Sequence, residues 1–204
     1  MEYVEGVVGM SQCPFCDQAN LSKPLYSNEH CQIIPDISPL LPGHVLVIPY
    51  EHVEGIARCS DAVFASVLEA VDMALSKYSY CATIFEHGAL HDENAGSSIS
   101  HAHIHVIPGE IDLAELIEDS LRLNPVPLHY KQLNAAFLKD NAYLFIQSNL
   151  SSMGACYSVQ ALPRQYLRAL ILRKLGQPPF FDWEVNAGTR EANRAVAETI
   201  ALWK

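Results

Sequence analysis

The strongest periodicity in the chain runs from Ser60 to Tyr80. Phe64, Val67, Leu68, Val71, Leu75 and Tyr78 recur at helical spacing, which predicts an amphipathic helix with Ser60 as its N-cap. Strand patterns surround it. CQIIPDISP reads as a short strand from Cys31 running into a turn, GHVLVIP as aliphatic and β-branched residues closed by Pro49, and CATIFEHG as a strand ending at Gly88. The polar loop ALHDENAGSS leads to SISHAHIHVIP, Ser98 to Pro108, a further strand stopped by PGE. IDLAELIEDSLR predicts a helix with one packing face, and LNPVPLHY, with two prolines, is the best linker candidate. NAYLFIQS and GACYSVQA then read as two strands, and PRQYLRALILRKLG and TREANRAVAETIALWK as two helices. Strands and helices mix without a regular βαβ alternation. That order predicts an α+β fold with a mostly antiparallel sheet.

Composition narrows the class. A chain of 204 residues suits one domain with an extension, or two small domains. Half of it is hydrophobic and 18% is charged, which is a composition for a packed core rather than for disorder. The formal charge of -10 argues against a nucleic-acid partner tracked by its phosphates, but it leaves room for a single nucleotide held by local donors. The start, MEYVEGVVGMSQCPFC, lacks the basic and apolar regions of a signal peptide, and no stretch has the length of a membrane span. The expectation is a cytoplasmic chain with no membrane partner. Six cysteines in such a chain suggest metal binding or burial before disulfides. Cys13 and Cys16 form a CxxC pair with metal-ligand spacing, while Cys31, Cys59, Cys81 and Cys156 read as small core side chains.

The candidate chemistry lies in His101, His103 and His105. Side chains alternate faces along a strand, so these imidazoles share one face, about 7 Å from one to the next. Ala102, Ile104 and Val106 point the other way. Such a row suits phosphate oxygens, or a metal beside a reactive group. Read by itself, it is equally a solvated face or a set of hydrogen-bonded core histidines. Three ligands on one straight strand converge poorly on a single metal.

With its neighbours the row becomes specific. His101-Ala102-His103-Ile104-His105-Val106-Ile107, together with DISPLLPGHVLVIP (Asp36 to Pro49), His52 beyond it, FEHG and Gly96, resembles the histidine triad (HIT) family over residues 13 to 108. The resemblance implies an antiparallel five-stranded sheet with packed helices. It implies a HIT domain over 1–122 with an N-terminal zinc-binding segment. Residues 123–204 remain as a C-terminal α+β extension of two strands and two helices.

The resemblance also implies a nucleotide hydrolase or nucleotidyl transferase acting at the α-phosphate. His103 is the expected nucleophile, and a neutral imidazole is competent near neutral pH. His105 and His44 are expected to stabilise charge on the phosphoryl oxygens, and Ser98 to bind a phosphate oxygen or the leaving group. Asp36 stands where the family binds ribose hydroxyls. Ile37, Glu86, Ser97 and His101 complete the expected nucleotide contacts. Some family members, and the related galactose-1-phosphate uridylyltransferases, bind zinc through an N-terminal CxxC, a histidine after the PGHxLVIP strand and the first triad histidine. Here these are Cys13, Cys16, His52 and His101, an expected structural Cys2His2 zinc site. A dinucleoside polyphosphate phosphorylase or nucleotidylyltransferase is the alternative enzyme, and a non-catalytic nucleotide-binding adaptor the second alternative. Small members of the family are dimers, so a homodimer is a candidate assembly.

Two departures bear on the substrate. Many family hydrolases have glutamine after the loop glycine, where this chain has Ser97. Many have asparagine where this chain has Glu86. His87 and His91 read as solvated loop residues, with contact to the substrate open to either. Arg164 and Arg168 read as residues of a solvated helix face, with a reach to a phosphate as the alternative for either. PRQYLR and FFDWEVNAG are the extension's candidates for substrate selection.

Overall fold

A computed structural model describes residues 13–19, 21–89, 99–148, 150, 152–160, 162–178 and 182–204. Among them, eight strands form one sheet: β1 (Tyr26–Ser27), β2 (Cys31–Pro35), β3 (Val45–Pro49), β4 (Ala82–Gly88), β5 (Ile104–Pro108), β6 (Val126–Leu128), β7 (Tyr143–Gln147) and β8 (Gly154–Ser158). Their order is β1-β2-β3-β5-β4-β7-β8-β6, and every pairing is antiparallel. Six helices accompany them: α1 (Asp61–Lys77), α2 (Ala114–Leu121), α3 (Ala136–Lys139), α4 (Tyr166–Lys174), α5 (Trp183–Asn186) and α6 (Arg190–Leu202). The α+β architecture is the one expected.

One helix covers one sheet face. Ser60 caps α1 by accepting a hydrogen bond from the Val63 N–H. Val63, Phe64, Val67, Ala70, Val71, Ala74 and Leu75 make its buried stripe. That stripe packs on Cys31, Ile33, Val45, Val47, Ile84, Ile104 and Val106 of the sheet. On the opposite face Phe85, Ile107, Leu144, Ile146 and Tyr157 meet Ile117 of α2 and Leu167, Leu170 and Ile171 of α4. β2, β3 and β7 are buried along their whole lengths, which explains why they read as apolar runs rather than as alternating strands.

Three expectations change. Among the described residues beyond 122 there are three strands and four α-helices, not two and two, and β7 pairs directly with β4, so the extension continues the same sheet. Within the expected linker, Val126 to Leu128 pair with Gly154 to Cys156 as the terminal strand. Proline is tolerated there because an edge strand has one unpaired side. Cys81 is exposed, whereas Cys31, Cys59 and Cys156 are buried, and all six cysteines are free thiols. Among the described residues, no helix is long and apolar enough to cross a membrane.

The extension also holds the turn ahead of His44. Gly43 adopts φ +93°, a conformation open to glycine and strained for other residues. Its N–H donates to Thr199 Oγ1 on α6 at 2.8 Å, and its carbonyl accepts from the Tyr78 hydroxyl at 2.5 Å.

Candidate active site

The triad is not one regular strand. β5 begins at Ile104, so His101 and His103 stand in the extended segment just before it. His103 and His105 do face the same cleft, with ring centroids 4.8 Å apart. His101 does not join them. Its Nε2 donates to the Pro49 carbonyl at 2.9 Å, and its Nδ1 lies 3.4 Å from Cys13 Sγ and 3.5 Å from Cys16 Sγ. Both ring nitrogens are engaged, which corrects the expectation that His101 contacts the nucleotide.

The backbone fixes the tautomer of His103. A carbonyl oxygen can only accept, so the 2.7 Å contact between His103 Nδ1 and the His101 carbonyl puts the proton on Nδ1. In the neutral ring Nε2 then carries the lone pair. Burial lowers the His103 pKa, partly offset by that carbonyl and by Asp36, so the lone-pair form dominates near neutral pH.

His105 is set by the same logic through His44. The Leu40 N–H donates to His44 Nδ1 at 3.2 Å, which places the His44 proton on Nε2. That Nε2 lies 2.9 Å from His105 Nδ1 and donates to it. His105 therefore carries its own proton on Nε2. Burial drives the His44 pKa down to about 3, with Asp36 opposing, and burial together with His103 and His44 drives His105 well down. Both rings are neutral, so the 3.5 Å approach of His44 to Asp36 is not an ion pair. Phe85 stacks on His105 with centroids 4.3 Å apart and planes 4° from parallel. Their registered pairing across β4 and β5 puts both on the cleft side.

The cleft measures about 270 Å³. Phe15, Leu21, Ile34, Leu46 and Ile99 make an apolar wall, with Ile37 45% exposed at its edge. Gln165, Tyr166, Leu167, Arg168 and Trp183 come from the extension and line the same space. Arg168 is not on a solvated helix face, as expected from its sequence. It is 8% exposed, its Nη1 donates to Asp36 Oδ2 at 2.7 Å, and its Nη2 donates to the Ser38 carbonyl. Burial alone would raise the Asp36 pKa, but Arg168 and His44 reverse this and hold it at about 2. Arg164 does lie exposed, 3.8 Å from Glu184.

Glu86 is placed away from the cleft. It is 1% exposed on the α1 side of the sheet, where Oε1 accepts from the Ile56 N–H at 2.8 Å and Oε2 from the Tyr143 hydroxyl at 2.7 Å. Burial raises its pKa to about 7. Its expected nucleotide contact is thus corrected. The neighbouring His87 faces the cleft instead, and burial and His103 lower its pKa to about 4. Ser97 and Ser98, with His91 and Gly96, lie outside the described residues.

Cys13, Cys16, His52 and His101 offer ligand atoms that all lie within 4.8 Å of one another. His52 Nδ1 is 3.2 Å from Cys16 Sγ. Tetrahedral bonds of zinc length set sulfur and nitrogen ligands about 3.5 Å apart, so this donor set fits a metal ion. The Pro49 carbonyl orients His101 from behind, as outer-shell acceptors do for metal-bound histidines. Phe15, inside the CxxC turn, touches His101 and His103 edge-on, with centroids 5.7 and 5.1 Å away. The turn that gathers the thiols therefore also packs against the nucleophile candidate.

A HIT domain model matches residues 18–111. An uncharacterized HIT-like protein of Borreliella burgdorferi is 35% identical over 107 residues, 48% of this chain and 76% of that protein. The chain belongs to the HIT family. An adenylylsulfatase of Arabidopsis thaliana is 30% identical over 131 residues, 61% of this chain and 66% of its own length. A bis(5'-adenosyl)-triphosphatase of Dictyostelium discoideum is 30% identical over 95 residues, 43% of this chain and 60% of its own length. For the latter two the similarity covers less than two thirds of the relative. All of this HIT protein's extension, residues 123–204, lies beyond the matched domain.

Proposed function

We propose that this HIT protein is a nucleotide hydrolase or nucleotidyl transferase that works through a nucleotidyl-His103 intermediate. The observation that carries the reading is the 2.7 Å bond from His103 Nδ1 to the His101 carbonyl, which reserves Nε2 as the lone-pair nitrogen at the cleft. In the first step Nε2 forms a bond to the α-phosphorus, and the leaving group departs with its bonding pair. In the second step an acceptor oxygen bonds to phosphorus, and the N–P pair returns to Nε2. With water as acceptor, the products are a nucleoside monophosphate and a proton.

His105 donates through Nε2 to the phosphoryl oxygens as charge accumulates, and the His44 Nε2–H bond keeps that proton where it is needed. The relatives named an adenylylsulfatase and a bis(5'-adenosyl)-triphosphatase support an adenosine nucleotide as substrate. Zinc is the metal for Cys13, Cys16, His52 and His101, in a closed, structural site. Bound there, it supplies a cross-link between the N-terminal segment and the residues flanking His103.

The test is turnover of a panel of nucleoside phosphoramidates, dinucleoside polyphosphates and nucleotide sugars by wild type and His103→Ala. Product from wild type and a loss of at least about a thousandfold in the variant support the reading. Equal rates in the two would overturn it.

A further inference from the structure

Asp36 lies on the cleft wall but is closed off by the extension. Oδ2 accepts from Arg168 Nη1 at 2.7 Å, and Oδ1 accepts from the Ser38 N–H at 2.8 Å. Arg168 also donates to the Ser38 carbonyl, and Asn186 Nδ2 donates to Ser38 Oγ at 2.8 Å. Two residues of the extension thus hold one turn at the floor of the cleft. Asp36 is 5% exposed and Arg168 8%.

Carboxylates bind sugar hydroxyls by accepting hydrogen bonds. Both Asp36 oxygens keep a spare lone pair, but with only 5% of the residue exposed and Arg168 and the Ser38 turn seated against it, a sugar hydroxyl gains access only by shifting Arg168, leaving that cation partly uncompensated. The negative charge is also already neutralised before a ligand arrives. The rest of the wall is mainly apolar, and its other carboxylate, Asp17, sits exposed.

We propose that Arg168 is a specificity-determining residue: by holding Asp36 it removes the carboxylate grip on the sugar. The site then selects its substrate by phosphate and base, and accepts ribo- and 2'-deoxyribonucleotides alike. This inference rests on nucleotidyl transfer to His103.

The experiment follows single-turnover adduct formation, by intact mass, with adenosine, 2'-deoxyadenosine and 2',3'-dideoxyadenosine 5'-phosphorimidazolides, and with the guanine series. In each case the His103 N–P bond forms as the P–N bond to imidazole breaks, and imidazole leaves with the pair and takes a proton from solvent. Rates that agree within about threefold across a sugar series support the proposal. A ribose preference of about tenfold or more overturns it, because a site built to bond a hydroxyl discriminates strongly against its absence. No adduct with any of the six overturns the His103 reading and this inference with it. The two failures are distinct, since only the first shows an adduct.

Discussion

His44 donates from Nε2 to Nδ1 of His105 across 2.9 Å, and this one bond decides which nitrogen of His105 carries its proton beside the cleft. Its direction follows from the Leu40 N–H behind it. His44→Ala should let His105 adopt either tautomer and lower adduct formation by on the order of a hundredfold. Nitrogen NMR of the histidines provides a second readout. His105 should show the Nε2–H tautomer in wild type and a mixture in the variant. An unchanged tautomer would remove His44 from this role.

Arg168 and Asp36 form a buried pair separated by 132 residues of chain. Arg168→Ala leaves a buried carboxylate without its cation, which should cost about 3 to 5 kcal/mol. The expected fall in melting temperature is on the order of 10 °C. The pH dependence has a definite sign. Asp36 is held at about 2, below its ordinary 3.8, so its contribution is present above that ordinary value and is lost as pH falls towards 2. The variant's deficit should therefore stay near its full size from neutral pH down to about pH 4 and shrink below that, as thermal melts carried from pH 7 to about pH 2 would show.

Glu86 behaves in the opposite way. Burial raises its pKa from 4.5 to about 7, so the stability linked to its protonated form is present below 4.5 and lost as pH rises through 7. Glu86→Gln keeps an acceptor for the Ile56 N–H but loses the acceptor for Tyr143. The variant should be more stable than wild type by about 2 kcal/mol at pH 8, allowing for the lost bond. That advantage should vanish near pH 5 in chemical denaturation. The same difference at both pH values would show that Glu86 is not titrating in this range.

The metal site predicts coupled losses. Cys13→Ser removes one of the four candidate ligands and should lower both zinc content, read by elemental mass spectrometry, and thermal stability. Because Phe15 packs on His103, adduct formation should slow as well. Full metal content in the variant would contradict the assignment.

What the sequence conveyed and what it did not divide along physical lines. α1, β3 and β4 were legible because local periodicity and capping decide them, as Ser60 and the stripe from Val63 to Leu75 illustrate. The grouping of Cys13, Cys16, His52 and His101 was legible through motif resemblance, since these residues sit at characteristic places around two strands. Arg168 was not legible. Its partner is remote in sequence, and an arginine on a short helix reads as solvated until the fold brings a carboxylate to it. Glu86 was misread because strand parity matters only once register is known. Phe85 pairs with His105, so Phe85 and His87 face the cleft and Glu86 must face α1. The edge strand β6 was hidden by prolines that argue for a linker, and only its partner β8 makes it a strand.

The most direct test of the central claim is to map the covalent intermediate. Wild-type protein is quenched in alkali, which preserves a phosphoramidate, after brief reaction with an adenosine 5'-phosphorimidazolide, and its peptides are sequenced by mass spectrometry. The account predicts one nucleoside monophosphate on His103, absent from His103→Ala and released by mild acid. A nucleotide found on another residue, or turnover undiminished in His103→Ala, would contradict it.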